Sequence, residues 1–159
     1  MADDLTHIDP EGNAVMVDVS EKAATERVAT AKCSIYMEAA TLARIMDNGI
    51  KKGDVMTIAQ LAGIMGAKRT PDLIPLCHPL SLSSVKVFLR PDTERSAVDI
   101  EATCKLTGNT GVEMEALTAV SVAALTVYDM CKAIDRGMRI GDIRLTHKSG
   151  GKSGIFEAD

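Results

Sequence analysis

The chain has 159 residues, 46% of them hydrophobic and 25% charged, which fits one domain and excludes a disordered tail. No uninterrupted apolar run approaches the ~18 residues of a membrane span, and the acidic start Met1-Ala2-Asp3-Asp4 lacks the layout of a signal peptide, so the expectation is a cytoplasmic protein. Net charge is −4, yet residues 44–90 carry seven basic against three acidic groups and residues 132–153 six against two, a local +4 in each. Two basic segments in an acidic protein suit a focused pocket for a small anion, although most such charges simply face water. Aromatic residues make up 3%, too few for the stacking platforms of nucleic-acid binders.

Residues 1–22 read as an irregular N-terminal arm with a short extended piece at Val15–Val19. Period-two alternation over Val28–Met37 predicts a strand with one buried face. A helix is expected over about Glu38–Asp47, stopped by Gly49. Asp54 is a good N-cap for a second helix, Val55 to about Lys68, whose small residues permit close packing. Thr70-Pro71-Asp72 breaks it, and Pro75 and Pro79 bracket Leu76-Cys77-His78. Val85–Arg90 and Ala97–Leu106 read as a hairpin with a turn near Pro91–Glu94. A long apolar helix follows Gly108-Asn109-Thr110-Gly111 and runs to Ala133–Ile134, with Thr110 and Glu113 in the relation of a capping box. A last strand, Met138–His147, precedes a Gly/Ser/Lys tail over about 148–159. This order predicts one α+β domain of ferredoxin-like βαββαβ type, an antiparallel sheet with helices on one face.

Cys33, Cys77, Cys104 and Cys131 form no CxxC pair and the three histidines are scattered, so zinc spacing is absent and the cysteines read as reduced, partly core, thiols. Gly150-Gly151-Lys152-Ser153 is not a phosphate-binding loop, because Thr146 stands where the Walker pattern needs glycine. Those residues are either a plain terminus or a Lys-bearing tail that closes over an anion. His78, fixed between two prolines, can exchange a proton near neutral pH or serve only structure. Glu113 is accounted for by helix-end electrostatics, whereas Glu115 is not. Asp129 and Lys132, at i and i+3, end a helix that is uncharged from Ala116 to Tyr128. They are a structural ion pair or a desolvated proton-transfer pair. Glu115 and Asp129 lie fourteen residues apart, about 21 Å along a helix. If both serve one small-molecule site, they come from different subunits, and so apolar a helix suits an oligomer interface.

Several long motifs together resemble a known family. They are Lys68-Arg69-Thr70-Pro71-Asp72-Leu73-Ile74-Pro75-Leu76-Cys77-His78-Pro79-Leu80, then Thr107-Gly108-Asn109-Thr110-Gly111-Val112-Glu113-Met114-Glu115-Ala116-Leu117-Thr118-Ala119, and Tyr128-Asp129-Met130-Cys131-Lys132. Leu5-Thr6-His7, Met16–Ser20, Lys52–Val55 and Lys148–Gly154 also fit, with substitutions such as Pro71 and Ser81 as the departures. The family is the cyclic pyranopterin monophosphate synthases, the molybdenum-cofactor biosynthesis protein C family. The resemblance implies a lyase that converts 3′,8-cyclised dihydroguanosine triphosphate, supplied by a radical-SAM GTP 3′,8-cyclase, to cyclic pyranopterin monophosphate and pyrophosphate. It implies Asp129 as the active-site Asp, with Lys132 and Lys52 as acid–base partners. Leu76, Cys77 and His78 with Glu113, Met114 and Glu115 correspond to its substrate-binding segments, and Arg27, Lys68, Lys148 and Lys152 to triphosphate ligands. It further implies a homohexamer of three dimers with each site shared across a dimer interface. No protein-bound metal or cofactor is expected, beyond Mg²⁺ that could accompany the triphosphate. The readings from other classes are a regulatory ligand-binding module on the same fold and an RNA-binding sheet, for which only Phe88 is suitably placed.

Overall fold

Alternation at the start of the chain produces the central strand of the sheet. In the computed structural model, which describes residues 5–48 and 54–159, β1 (Thr25–Tyr36) turns Arg27, Ala29, Ala31, Cys33 and Ile35 to the interior. It pairs antiparallel with β3 (Ala97–Gly108) on one side and β4 (Arg139–Ser149) on the other. The hairpin partner β2 (Ser84–Asp92) lies outside β3, giving the order β2-β3-β1-β4-β5, in which the first four strands have the ferredoxin-like arrangement. Pro91, expected in the turn, lies within β2 as its penultimate residue instead, as an edge strand allows, and the turn falls at 93–96.

Helices cover one face. α1 (Ala39–Met46) follows β1, α2 (Val55–Lys68) packs on β2, and α4 (Glu113–Cys131) packs beside α2 on β1, β3 and β4. Asp54 caps α2 as expected: its carboxylate accepts from the Thr57 amide at 3.2 Å and the Thr57 hydroxyl at 2.6 Å. Gly63 and Gly66 let α2 approach α4, since a Cβ on Gly66 would stand 2.8 Å from Cγ2 of Val122. α4 is long and apolar enough by length and composition to cross a bilayer, despite the lack of an unbroken apolar run. Here it is the core helix, with Ala116, Ala119, Val120, Ala123, Ala124 and Val127 fully buried.

After α1, Asn48 stands in the left-handed region with φ 52°, and Gly49, expected to stop the helix, lies outside the described residues. Four local expectations are corrected. Thr70-Pro71-Asp72 does more than break α2: with Leu73 it forms a one-turn helix, α3 (Thr70–Leu73), with Pro71 in its first turn, where a missing amide costs nothing. The capping box is absent. The N-cap of α4 is Val112, the Thr110 hydroxyl donates to the Gly111 carbonyl at 3.4 Å, and the Glu113 carboxylate pairs with Lys148. α4 ends at Cys131, and turns carry the chain through Lys132–Ile134. The tail is not a plain tail, because β4 continues to Ser149 and the chain returns as β5 (Phe156–Glu157) along its edge.

Candidate active site

Where β1 and β3 run side by side, the end nearest Gly108 opens into a cleft of about 400 Å³. Its walls come from the arm (Lys22, Ala23), the start of β1 (Thr25, Arg27), the loop before α4 (Asn109–Gly111), the end of β4 (Lys148) and the turn beyond it (Gly151, Lys152, Ser153). Four cations line it and no carboxylate does. Arg27 is unusual in facing the interior side of β1, 8% exposed, where its Nε donates to the Gly108 carbonyl at 3.2 Å. Lys148 Nζ stands 2.6 Å from Glu113 Oε1 with both side chains largely shielded. The Thr25 hydroxyl is, among the described residues, the one buried side-chain polar atom lacking a hydrogen-bond partner. A concave site with cations, an unused hydroxyl and an exposed backbone turn suits a multiply charged phosphate.

A larger cleft, about 550 Å³, lies on the helix-free face of the sheet. There Lys32, Arg90, Arg95 and Arg144 are offset by Asp99, Glu101 and Asp142, with pairs such as Lys32–Glu101 at 3.5 Å and Arg95–Asp99. The smaller cleft is the stronger anion site because its four cations face no lining carboxylate, whereas three carboxylates offset the four cations of the larger one.

Beside the basic cleft, α4 begins with Glu113, Met114 and Glu115. Glu115 is 3% exposed, and burial, reinforced by the Glu113 charge and opposed by the Glu115 amide, pushes its carboxyl up to about 7. Burial and then the charge of Glu115 also raise the Cys77 thiol, which places the Leu76-Cys77-His78 segment near the same end of α4. His78 Nε2 lies 2.6 Å from the Val17 carbonyl. A carbonyl only accepts, so Nε2 carries a proton. Asn109 donates to the Val19 carbonyl at 3.3 Å, so the arm is tied to the site at two points.

Asp129 and Lys132 stand at the opposite end of α4. They form a direct pair at 2.8 Å, and the Asp129 carboxylate raises the Lys132 ammonium above its ordinary value, by hydrogen bonding first and charge second. The expected desolvation is not found in the single chain: the side chains are 59% and 53% exposed. Asp129, in the last turn of α4, and Lys132, just past its end, are both exposed, where charges cost little. Lys68 closes α2 at an exposed position and is not part of the cleft lining. Lys52 lies outside the described residues. The structure therefore gathers Arg27, Lys148, Lys152 and Glu113, sets Glu115, Cys77 and His78 near them, and leaves Asp129 about 21 Å from Glu115 along the helix, with Lys132 beyond it. Sequence reasoning missed Lys22 and Thr25 as lining residues. Of these only Lys22 carries a charge that could have suggested it.

Among the described residues no group of three or more His, Cys, Asp or Glu side chains converges. None of the four cysteines is in a disulfide, and Cys33, Cys104 and Cys131 are buried.

An α+β domain with a helix-flanked basic cleft and a buried carboxyl defines a small-molecule enzyme scaffold, and residues 16–151 match the MoaC family. The chain belongs to that family. It is 67% identical over 157 residues to the cyclic pyranopterin monophosphate synthase of Rhodospirillum rubrum, covering 99% of this chain and 95% of the relative. The proteins of the same name from Parvibaculum lavamentivorans and Pelotomaculum thermopropionicum are 61% and 60% identical, over 97% and 96% of this chain and 96% and 90% of their own lengths.

Proposed function

We propose that the chain is a cyclic pyranopterin monophosphate synthase, a lyase of molybdenum-cofactor biosynthesis. It converts 3′,8-cyclised dihydroguanosine triphosphate, the product of a radical-SAM GTP 3′,8-cyclase, to cyclic pyranopterin monophosphate with release of pyrophosphate. The observation that carries the reading is the cleft in which Arg27, Lys148, Lys152 and Lys22 converge beside a buried carboxyl. The cations hold the triphosphate, as point charges from lysine and a planar fork from arginine. Lys148, paired with Glu113 in the unliganded chain, exchanges that partner for a phosphate oxygen. Leu76, Cys77, His78 and Met114 flank the rings of the substrate. Glu115, titrating near neutrality, both gives and takes a proton as the purine-derived rings open and rebuild.

Asp129 and Lys132, with Lys52, form the other acid–base group. One chain cannot bring Asp129 to its own cleft along a straight helix, so each site takes Asp129 from a second subunit, within a homohexamer of three dimers. Docking there also removes the Asp129–Lys132 pair from water, which the single chain does not do. Any Mg²⁺ travels with the triphosphate rather than in a protein cage, and the enzyme works in the cytoplasm, in keeping with cysteines that form no disulfide.

The test is product formation from the cyclised intermediate by wild type, Asp129→Asn and Lys132→Ala. Wild type is expected to release pyrophosphate and yield the pyranopterin. Both variants are expected to bind and to lose about 10²- to 10⁴-fold in turnover, the range of a lost general acid or base. A wild-type protein that binds the intermediate and returns it unchanged would instead be a regulatory ligand-binding module.

A further inference from the structure

β4 ends at Ser149, opposite Val28 of β1, and the chain then turns across the first residues of β1. Gly150 and Gly151 make this turn with φ of 96° and 77°, where side chains are strained. Space makes the same demand. A Cβ on Gly150 would overlap the Glu26 carbonyl oxygen, and one on Gly151 would overlap Nη1 of Arg27, with Cζ 2.8 Å away. The guanidinium is therefore seated where the Gly151 side chain would be. Its far side is held by the bond from Nε to the Gly108 carbonyl, and among the described residues the Nη groups have no hydrogen-bond partner. The unpartnered Thr25 hydroxyl lines the same cleft.

We infer that Gly151 is a positioning residue: it acts through Arg27, holding the guanidinium between its own Cα, against Nη1, and the Gly108 carbonyl, at Nε, so that the Nη hydrogens turned away from Gly151 face a phosphate group. This rests on the reading of the cleft as a triphosphate site. A long arginine side chain ordinarily loses its rotamer freedom when the ligand arrives; here the loss is taken on folding. The obstacle to a larger residue at 151 is the end of a side chain that can swing away. Gly151→Ala therefore moves Arg27 rather than the strands.

The experiment measures binding of inorganic tripolyphosphate to the full chain, alongside kcat and KM for the cyclised intermediate and thermal denaturation. Gly151→Ala and Arg27→Ala are each expected to weaken tripolyphosphate binding about 10- to 100-fold, the worth of a charge-assisted hydrogen bond or two, and to raise KM more than they lower kcat. The double variant is expected to bind no worse than Arg27→Ala alone. Gly154→Ala is the control: φ there is 71° but a Cβ meets nothing within 4 Å, so it carries the backbone strain without the collision. Should Gly151→Ala not fold, Arg27→Lys keeps the charge and removes the seated Nη groups, and the same loss of affinity is expected with Gly151 intact. Wild-type affinity in folded Gly151→Ala or in Arg27→Lys, or losses that add in the double variant, would overturn the inference. Wild-type affinity in Arg27→Ala would show instead that the cleft does not bind phosphate through Arg27, whatever Gly151 does.

Discussion

Glu115 has a carboxyl that the fold keeps from water, and stability should record it. Its carboxyl rises from an ordinary 4.5 to about 7 in the folded chain. Between those values the folded chain binds more protons than the unfolded one, so stability falls as pH rises through that window. The shift corresponds to about 3 kcal/mol, fully felt above pH 7 and absent below pH 4.5. Urea unfolding of wild type and Glu115→Gln at both ends of the window checks this. The variant should gain on wild type by roughly that amount on going from acid to neutral pH, and parallel curves would mean that Glu115 is solvated. At Thr25 the argument runs through an unpaired hydroxyl. Thr25→Val removes a buried polar group without a partner and is expected to stabilise the unliganded chain by about 1 kcal/mol; a lower unfolding midpoint would contradict it. Residue identity made Glu115 conspicuous in the sequence, because helix-end electrostatics explained its neighbour and not it. The same reasoning misassigned Glu113, since its partner Lys148 lies 35 positions away and nothing local announces it. Asp135 shows the converse. Nearly buried, it accepts from the Glu38 amide at 2.9 Å and the Thr41 hydroxyl at 3.0 Å and so caps α1 from the far side of the chain.

Between elements, the contact of α2 with α4 is set by what is missing from the side chains. Alanine for a mid-helix glycine ordinarily gains up to ~1 kcal/mol in helix propensity. At Gly66 the added methyl would press on Val122, and overpacking of this kind costs about 1–3 kcal/mol. Gly66→Ala is thus expected to be destabilising despite propensity. Adding Val122→Ala should recover part of the loss, with a coupling of roughly 0.5–3 kcal/mol in a double-mutant cycle measured by chemical unfolding. Additive losses would mean that the helices move apart freely. Elements carried by periodicity or by a short-range cap were legible: β1, β3, α2 with Asp54, and α4 by its apolar length. Those that depend on another part of the chain were not. β5 is two residues long and exists because β4 offers an edge, with His147 Nδ1 2.6 Å from Glu157 Oε1. After α1 the left-handed residue is Asn48, whose short polar side chain tolerates that conformation better than most.

At the scale of the whole molecule, the proposed shared site draws on the two opposite ends of α4. The sequence supplied this through a length alone, since fourteen residues of helix span about 21 Å whatever they pack against. What it could not supply was that the basic cleft gathers pieces from the arm, two strands and the turn after β4, because that convergence follows from sheet order. If a working site needs Glu115 with the cleft of one subunit and Asp129 of another, two broken proteins should repair each other. Glu115→Gln and Asp129→Asn homo-oligomers are each expected to be nearly inactive. When they are unfolded together and refolded, random pairing makes half the dimers mixed, and each mixed dimer holds one intact site and one doubly broken site, so activity should return to about a quarter of wild type. If instead each chain completed its own site, mixing would restore nothing, because every site would still carry one substitution. The recovered fraction therefore separates a shared site from a self-contained one, and it does so without knowing which side chain moves which proton.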